Sequence, residues 1–448
     1  MRKWIGCMGA LLLTLSVFGK YGGVVRLDRR NGIYQVGETI TCKVKLTNND
    51  APLSGVPARL TLKFEGGTVK TVDFTTTGGM VEFNCPAEKP GWVYFGFEVL
   101  GDDGNPLTGE EVFRHSAKKS IVTEIGALIE PERIVTGVKR PADFDAFWAA
   151  RRAALNEIPI EAKLEPMKYR NEKIRLYKVT IPTVGEYPVT GYLAIPAGAK
   201  PKSCPAYVDW SSWSASDASR NSAIQRALAG GIGFTTTWHG RPVDMGKAWY
   251  NYRTTIKIEG GKVGIEDRDT WCFGFMYYRV MRALDFVKSL PEWDGKNLVS
   301  SGGSLGGAQS AAAAALDPDV TVAVIMNPCF CEFDGAASGH NSSIPRQGWA
   351  KTPQALLAQS YYDCVNFAPM IKCPVFICTG GTDELCPPSN VVAVFNALPA
   401  ATKAKSQFFF NPAAGHYGQI NSSANPRIRR LLNAIVINPY DDKGGGSR

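Results

Sequence analysis

The chain is poor in the residues that bind metal in recognisable patterns. It has four histidines, none spaced from a cysteine or another histidine as a zinc site requires. Its eleven cysteines include no Cys-x-x-Cys pair, so no metal site is expected. Cys7 belongs to the leader discussed below. Cys329, Cys331, Cys364, Cys373, Cys378 and Cys386 lie mostly on or beside apolar runs, where a small buried thiol is the ordinary role. Past residue 18 no stretch reaches the roughly 18 uninterrupted apolar residues of a membrane-spanning helix, and no span is expected. Charge is sparse at 20% of residues, and the formal net charge of +9 includes Arg2 and Lys3. Apart from Arg427-Ile428-Arg429-Arg430, which reads as a solvated helix face, the basic residues are scattered, so nucleic acid is not an expected partner.

With hydrophobic residues at 44%, there is apolar surface enough to offset the entropy of ordering a core. A length of 448 residues exceeds what one core usually supports, and two folded units are expected. Arg2-Lys3, the apolar run Trp4 to Phe18 and then Gly19 follow the order of a secretory signal. Residues 1–19 are therefore expected to be removed and the mature chain exported, to the periplasm or the cell exterior. Residues 441–448 read as a flexible tail.

Over residues 20–129 the pattern has period two. Ile40, Cys42, Val44 and Leu46 alternate with Thr41, Lys43 and Lys45, and Leu60, Leu62 and Phe64 repeat the theme. Turn signals such as Asn48-Asn49-Asp50, Gly66-Gly67, Gly78-Gly79 and Asp102-Asp103-Gly104 separate these half-buried strands, as in a small immunoglobulin-like β-sandwich. Cys42 and Cys85 could cross-link it. Over residues 130–440 the character changes. Pro141-Ala142-Asp143 opens a helix with Phe144, Phe147, Trp148 and Leu155 on one face. Short apolar strands then alternate with amphipathic helices, predicting a mostly parallel sheet covered on both faces, an α/β class. Strands are read at 174–181, 189–195, 206–210, 234–238, 298–301, 320–326, 375–378 and 407–410, and helices at about 221–228 and 273–290.

Chemistry is concentrated in Gly302-Gly303-Ser304-Leu305-Gly306-Gly307, a G-x-S-x-G turn between an apolar strand and an alanine-rich helix former. Such a turn is sharp and crowded, hence its glycines, and it exposes the serine Oγ at a helix N-terminus. The bland alternative is a serine that only caps the helix. A serine hydroxyl needs a base, and of His115, His239, His340 and His416, the last follows a strand in the loop Gly415-His416-Tyr417-Gly418, where this kind of sheet delivers its base. His340 reads as an exposed loop residue, and His115 sits in the sandwich. Asp383, just past the strand 375–378, is the expected orienting carboxylate, with Glu384 its rival and a plain turn-capping role the alternative. The backbone N–H of Leu305 and that of Trp213, in the loop after Val208-Asp209-Trp210, are candidates for the oxyanion site, Trp213 alternatively being an aromatic core contact. Trp238, His239 and Arg241 are candidate pocket residues.

These residues together resemble the acetyl xylan esterase and cephalosporin C deacetylase family of carbohydrate esterases over about residues 129–437. The features similar to it are Phe144-Asp145-Ala146-Phe147-Trp148, Gly191 to Pro196, Tyr277-Tyr278-Arg279, Gly302-Gly303-Ser304, Asp383 to Ser389 and Gly415-His416. The resemblance implies an α/β-hydrolase fold, the Ser304, Asp383 and His416 triad, the Leu305 and Trp213 oxyanion positions, no cofactor, and deacetylation of acetylated oligosaccharides such as acetyl-xylan fragments. Three departures bear on pocket shape: Trp238-His239-Gly240-Arg241 where the family has Arg-Gly-Gln-Gly, Leu305 where it has glutamine, and Trp213 where it has tyrosine. The preceding sandwich departs from the plain family architecture, so its ring-like hexamers are not carried over, though an oligomer remains open. The competing readings are a peptidase of prolyl-oligopeptidase type or another ester hydrolase on the same fold, and a non-catalytic carbohydrate-binding protein.

Overall fold

The computed structural model describes residues 21–107, 120–213, 217–252, 262–341 and 351–416. The leader, His115, Arg427 to Arg430 and the tail lie outside them.

The described residues of 21–129 form strands and no helix: β1 Tyr21–Leu27, β2 Ile33–Tyr34, β3 Thr39–Asn48, β4 Ala51–Pro52, β5 Ser54–Phe64, β6 Val69–Thr77, β7 Val81–Pro86, β8 Gly91–Val99 and β9 Ile121–Ile129. One sheet runs β1-β3-β4 with β7 also on β3, and the other runs β2-β9-β8-β5-β6. As the alternation predicts, β3 turns Ile40, Cys42, Val44 and Leu46 inward, where they join Leu60, Phe95, Phe97 and Ala127 of the second sheet in one core. Cys42 and Cys85 are both free thiols in that core. The antiparallel register explains why the suggested cross-link is not made: Cys42 faces Phe83 and Cys85 faces Ile40, so the thiols are diagonal neighbours, and a disulfide needs closely opposed Cβ atoms.

Strand β8 breaks the alternation, being buried at all nine positions. Val93, Phe95 and Phe97 enter the core between the two sheets. Trp92 and Tyr94 point the other way, into the main core of the second unit. The five-stranded sheet is therefore covered on both faces along β8, which a near-continuous apolar run records.

The second unit opens with a helix over Phe144–Asn156, Asp143 standing at its N-cap position, and buries Phe144, Phe147, Trp148 and Leu155. Its sheet has nine strands: β10 Lys163–Met167, β11 Ile174–Ile181, β12 Val189–Pro196, β13 Cys204–Trp210, β14 Ile232–Thr236, β15 Trp293–Gly303, β16 Val322–Met326, β17 Val375–Gly380 and β18 Gln407–Asn411, in the order β10-β11-β12-β14-β13-β15-β16-β17-β18. From β14 to β18 neighbours are parallel, and β10, β11 and β12 add an antiparallel edge. Sequence reading passed over β10, whose positions are all partly or fully exposed. It also set β14 two residues too late, because the large apolar Trp238 reads as the end of the strand although pairing begins at Ile232 and stops at Thr236.

Both faces of this sheet are covered. In β12, Tyr192 and Ala194 pack with Ala223, Ile224 and Ala227 of the helix Arg220–Leu228, while Leu193 and Ile195 join the core of the helices Cys272–Ser289 and Leu305–Leu316. Burial pushes the thiol of Cys373 up to about 11 and that of Cys378 up to about 12, so these cysteines stay protonated and act as small apolar groups. No helix among the described residues is long and apolar enough to cross a membrane.

Because β13 and β15 are neighbours although β14 lies between them in sequence, Trp210 and Gly302 are paired at the carboxyl ends of adjacent strands. A crossover of this kind opens a crevice where loops can gather. The all-β unit docks beside the last two strands. Trp92 Nε1 donates to Gly381 O at 2.7 Å, Gly126 N donates to Pro412 O at 2.8 Å, Asn341 N donates to Glu65 Oε1 at 3.0 Å, and Lys63 pairs with Glu384.

Candidate active site

Ser304 joins β15 to the helix Leu305–Leu316 with φ 57° and ψ −120°, a conformation that costs a non-glycine residue on the order of 1–3 kcal/mol. The surroundings enforce it. Ser304 N donates to Met326 O at 2.9 Å, and Ser304 O accepts from Gly307 N at 2.9 Å and Cys329 N at 3.1 Å. A Cβ on Gly302 would stand 2.2 Å from Gly306 O, and one on Gly306 would stand 2.5 Å from Trp210 O. No larger residue fits either place. The Ser304 side chain makes no capping hydrogen bond to its helix, which removes the bland alternative for it.

The hydroxyl is aimed elsewhere. Ser304 Oγ lies 3.0 Å from His416 Nε2, and His416 Nδ1 lies 2.8 Å from Asp383 Oδ2. A carboxylate facing Nδ1 keeps the ring proton there and leaves Nε2 to accept from the serine. Asp383 follows the end of β17 and is fully buried. Its Oδ1 accepts from Leu385 N and Cys386 N, each at 2.9 Å, so it closes its own turn with one oxygen and reaches His416 with the other. Glu384 instead pairs with Lys63. All three side chains are shielded, Ser304 being 5% and His416 8% exposed.

A fourth residue completes this arrangement. Asn327, fully buried just past the end of β16, donates from Nδ2 to Asp383 Oδ2 at 2.5 Å. It has φ 40°, a backbone state that asparagine tolerates better than most residues. Sequence reading passed over it, and the available signal was an Asn-Pro step closing an apolar core strand. Among the described residues, the one group of side chains close enough to hold a metal is Asp383, Cys386 and His416, with ligand atoms within 4.8 Å of one another. Two of the three already bond to each other.

The wall beside Ser304 comes from the loops after β13 and β14. Ser212 Oγ donates to Gly303 O at 2.8 Å, and Gln309 Nε2 donates to Ser211 O at 3.0 Å, tying the first loop to the turn at Ser304. Gln309 is buried in an otherwise alanine-rich helix, a signal that sequence reading did not use. Leu305 is the first residue of that helix, and its N–H is among those an α-helix leaves without an intrahelical acceptor. The Trp213 ring lies 6.0 Å from Trp238, 5.2 Å from Phe273 and 6.2 Å from Phe330. Trp238 stacks on Phe273 at 5.3 Å. His239 Nδ1 accepts from Arg241 N at 3.1 Å, and both residues are buried. Arg279 donates to Trp238 O from Nε at 3.0 Å and from Nη2 at 2.8 Å, and burial pulls its guanidinium down to about 10. Trp213 and Trp238 thus meet in one aromatic cluster, with His239 and Arg241 on the same loop as Trp238.

His340 corrects an expectation. It is not an exposed loop residue, because its Nδ1 lies 2.8 Å from Oε2 of the fully buried Glu332. Burial lowers its basicity, but the hydrogen bond and charge of Glu332, with Glu65 nearby, outweigh that and hold it above the usual imidazole range.

Comparison with known proteins gives the family of the chain. Residues 133–419 match the family described as acetyl xylan esterase. An acetyl esterase of Xylanibacter ruminicola, Axe7A, is 30% identical over 385 residues, covering 82% of this chain and 81% of the relative. Among solved structures, the acetyl xylan esterase from Paenibacillus sp. R4 superposes with a TM-score of 0.59 at 25% identity, over 68% of this chain and 98% of that one. Acetyl xylan esterase 1 from Thermoanaerobacterium sp. JW/SL YS485 gives 0.56 at 18% identity, over 69% and 98%. These likenesses identify the nine-stranded unit as an α/β-hydrolase fold. The chain belongs to the acetyl xylan esterase family and is a carboxylic ester hydrolase.

Proposed function

We propose that the chain is an exported serine esterase that removes acetyl groups from acetylated oligosaccharides such as acetyl-xylan fragments. The observation that carries this is the hydrogen-bonded series Ser304–His416–Asp383, set at a strained turn in a chain whose relatives are named acetyl esterase and acetyl xylan esterase. Ser304 Oγ attacks the ester carbonyl while His416 Nε2 takes its proton, and Asp383 steadies the imidazolium. The oxyanion is met by the N–H groups of Leu305 and Trp213. The C–O bond to the sugar breaks, His416 returns the proton to the leaving alcohol, and water hydrolyses the acetyl-enzyme by the reverse relay. Trp238, His239 and Arg241 shape the pocket. No cofactor enters the scheme.

On this reading residues 1–19 are a secretory signal, 20–129 an immunoglobulin-like β-sandwich, 130–440 the catalytic unit and 441–448 a flexible tail. The test is acetate release from acetylated xylo-oligosaccharides by the mature chain beside Ser304→Ala, with peptide amides as comparison substrates. Removal of the nucleophile is expected to lower turnover on the order of 10⁶-fold. Equal release by both proteins would reject Ser304, and turnover of the amides alone would reject the deacetylase.

A further inference from the structure

We propose that the N-terminal all-β unit is a positioning element for Asp383 and His416, acting through Trp92 and Gly126; this rests on the triad reading above. The acid and the base stand in loops that follow β17 and β18, the last two strands at one edge of the nine-stranded sheet. These loops are zipped to each other, Gly381 N donating to Asn411 O at 2.8 Å and Thr382 N to Ala414 O at 3.0 Å. From the other side, the all-β unit holds both.

Trp92 Nε1 donates to Gly381 O, two residues before Asp383, and Lys63 pairs with Glu384, the residue after it. Gly126 N donates to Pro412 O, in the loop that leads to His416. Gly126 also lies directly on the acid loop, since a Cβ there would stand 1.9 Å from Gly381 O. One glycine of β9 therefore touches both loops at once, and only a glycine allows that approach. The seam is a packed core and not a loose interdomain contact. Trp92 and Tyr94 are buried in the main cluster of the catalytic unit, and Tyr94 Oη donates to Glu124 Oε2 at 2.6 Å behind them. Displacing catalytic groups by about 1 Å can cost on the order of 10²-fold in rate, so a clamp on these two loops bears on turnover while touching no substrate.

The test uses the full chain. Trp92→Phe keeps most of the ring and removes the donor, and Gly126→Ala drives a methyl group into the Gly381 carbonyl. Val44→Ala, in the core between the two β-sheets and away from the seam, reports on stability alone. For each, kcat and KM on an acetylated xylo-oligosaccharide, Tm, and the rate at which a small fluorophosphonate labels Ser304 are measured. The expected result is a fall in kcat and labelling rate of about tenfold for Trp92→Phe and on the order of 10²-fold for Gly126→Ala, with KM little changed. Val44→Ala is expected to lower Tm and leave kcat as it was. Wild-type kcat and labelling in Trp92→Phe would overturn the clamp even if Gly126→Ala failed to fold, and so would a kcat loss in Val44→Ala matching that of the seam variants. Activity retained by Ser304→Ala would instead overturn the triad reading beneath it.

Discussion

Around Ser304 the constraints come from one continuous segment, a strand, a turn whose glycines at 302 and 306 admit no side chain and a helix that starts at the next residue, and from the strands directly beside it at Trp210 and Met326. Around Asp383 and His416, which are 33 residues apart, they come from far along the chain. Asn327 braces the carboxylate from the end of β16, and Trp92 and Gly126 brace the loops from the other folded unit. Ser304, the proposed nucleophile, is built into the central strands of the sheet, whereas Asp383 and His416, the proposed acid and base, hang from its edge. Parallel pairing on both sides gives β15 its rigidity, and edge loops need outside partners to reach the same precision.

The strongest way to break this comparison is at the proposed acid, Asp383. Asp383→Asn is expected to lower kcat on the order of 10⁴-fold, because an amide can stabilise neither the Nδ1–H tautomer nor the imidazolium. Glu384→Gln, next to it but turned to Lys63, is expected to stay within about threefold of wild type, the scale of a partly exposed ion pair. Initial rates of acetate release compare the two. A large loss in Glu384→Gln, with Asp383→Asn active, would move the acid by one residue.

A smaller effect is expected at Asn327→Ala. It removes a donor to the buried Asp383 Oδ2, and an uncompensated loss of that kind costs about 1–3 kcal/mol. Read as a kcat loss, this is roughly ten- to a hundredfold, with KM little affected. Unchanged kcat would show that Leu385 N and Cys386 N suffice to orient the carboxylate.

The mildest test concerns pH. Asp363 is fully buried, and burial pushes it up to about 7, against backbone donors at Phe333, Val365 and Glu332 that pull it down and with the Glu332 carboxylate adding to the rise. A carboxyl raised in the folded state holds a proton that the unfolded chain has released. Its contribution is therefore present in full below about pH 4 and declines as pH rises to about 7, with a slope of at most about 1.4 kcal/mol per unit. Urea unfolding of wild type and Asp363→Asn across that window is expected to show the wild-type stability falling relative to the variant as pH rises. A difference that is flat or grows with pH would place the buried proton elsewhere, on Glu65 or His340.

Legibility followed the same division. Apart from β15, which begins at Trp293 and not at Leu298, strands β11 to β18 and the helix Cys272–Ser289 were readable to within a few residues, since apolar runs and three-to-four spacing report burial directly. The exposed β10 carried no such pattern. His340 was misjudged because Gly339-His340-Asn341 has the composition of a surface turn, and nothing nearby in sequence announces Glu332 as its buried partner. The Cys42 to Cys85 suggestion failed on register, which alternation alone does not supply.

By itself, the order of residues determined that a G-x-S-x-G turn stands between a strand and a helix, that an acidic residue and a histidine follow later strand ends, and that a period-two unit precedes them. Each of these is a relation among neighbours in the chain, governed by backbone sterics and periodicity. Only the tertiary structure decided that Asn327 reaches Asp383, that Glu384 turns to Lys63, and that one face of β8 completes the catalytic core. Those outcomes depend on which surfaces pack together, and packing is settled by shape and burial between segments far apart in the chain, where sequence pattern has no reach.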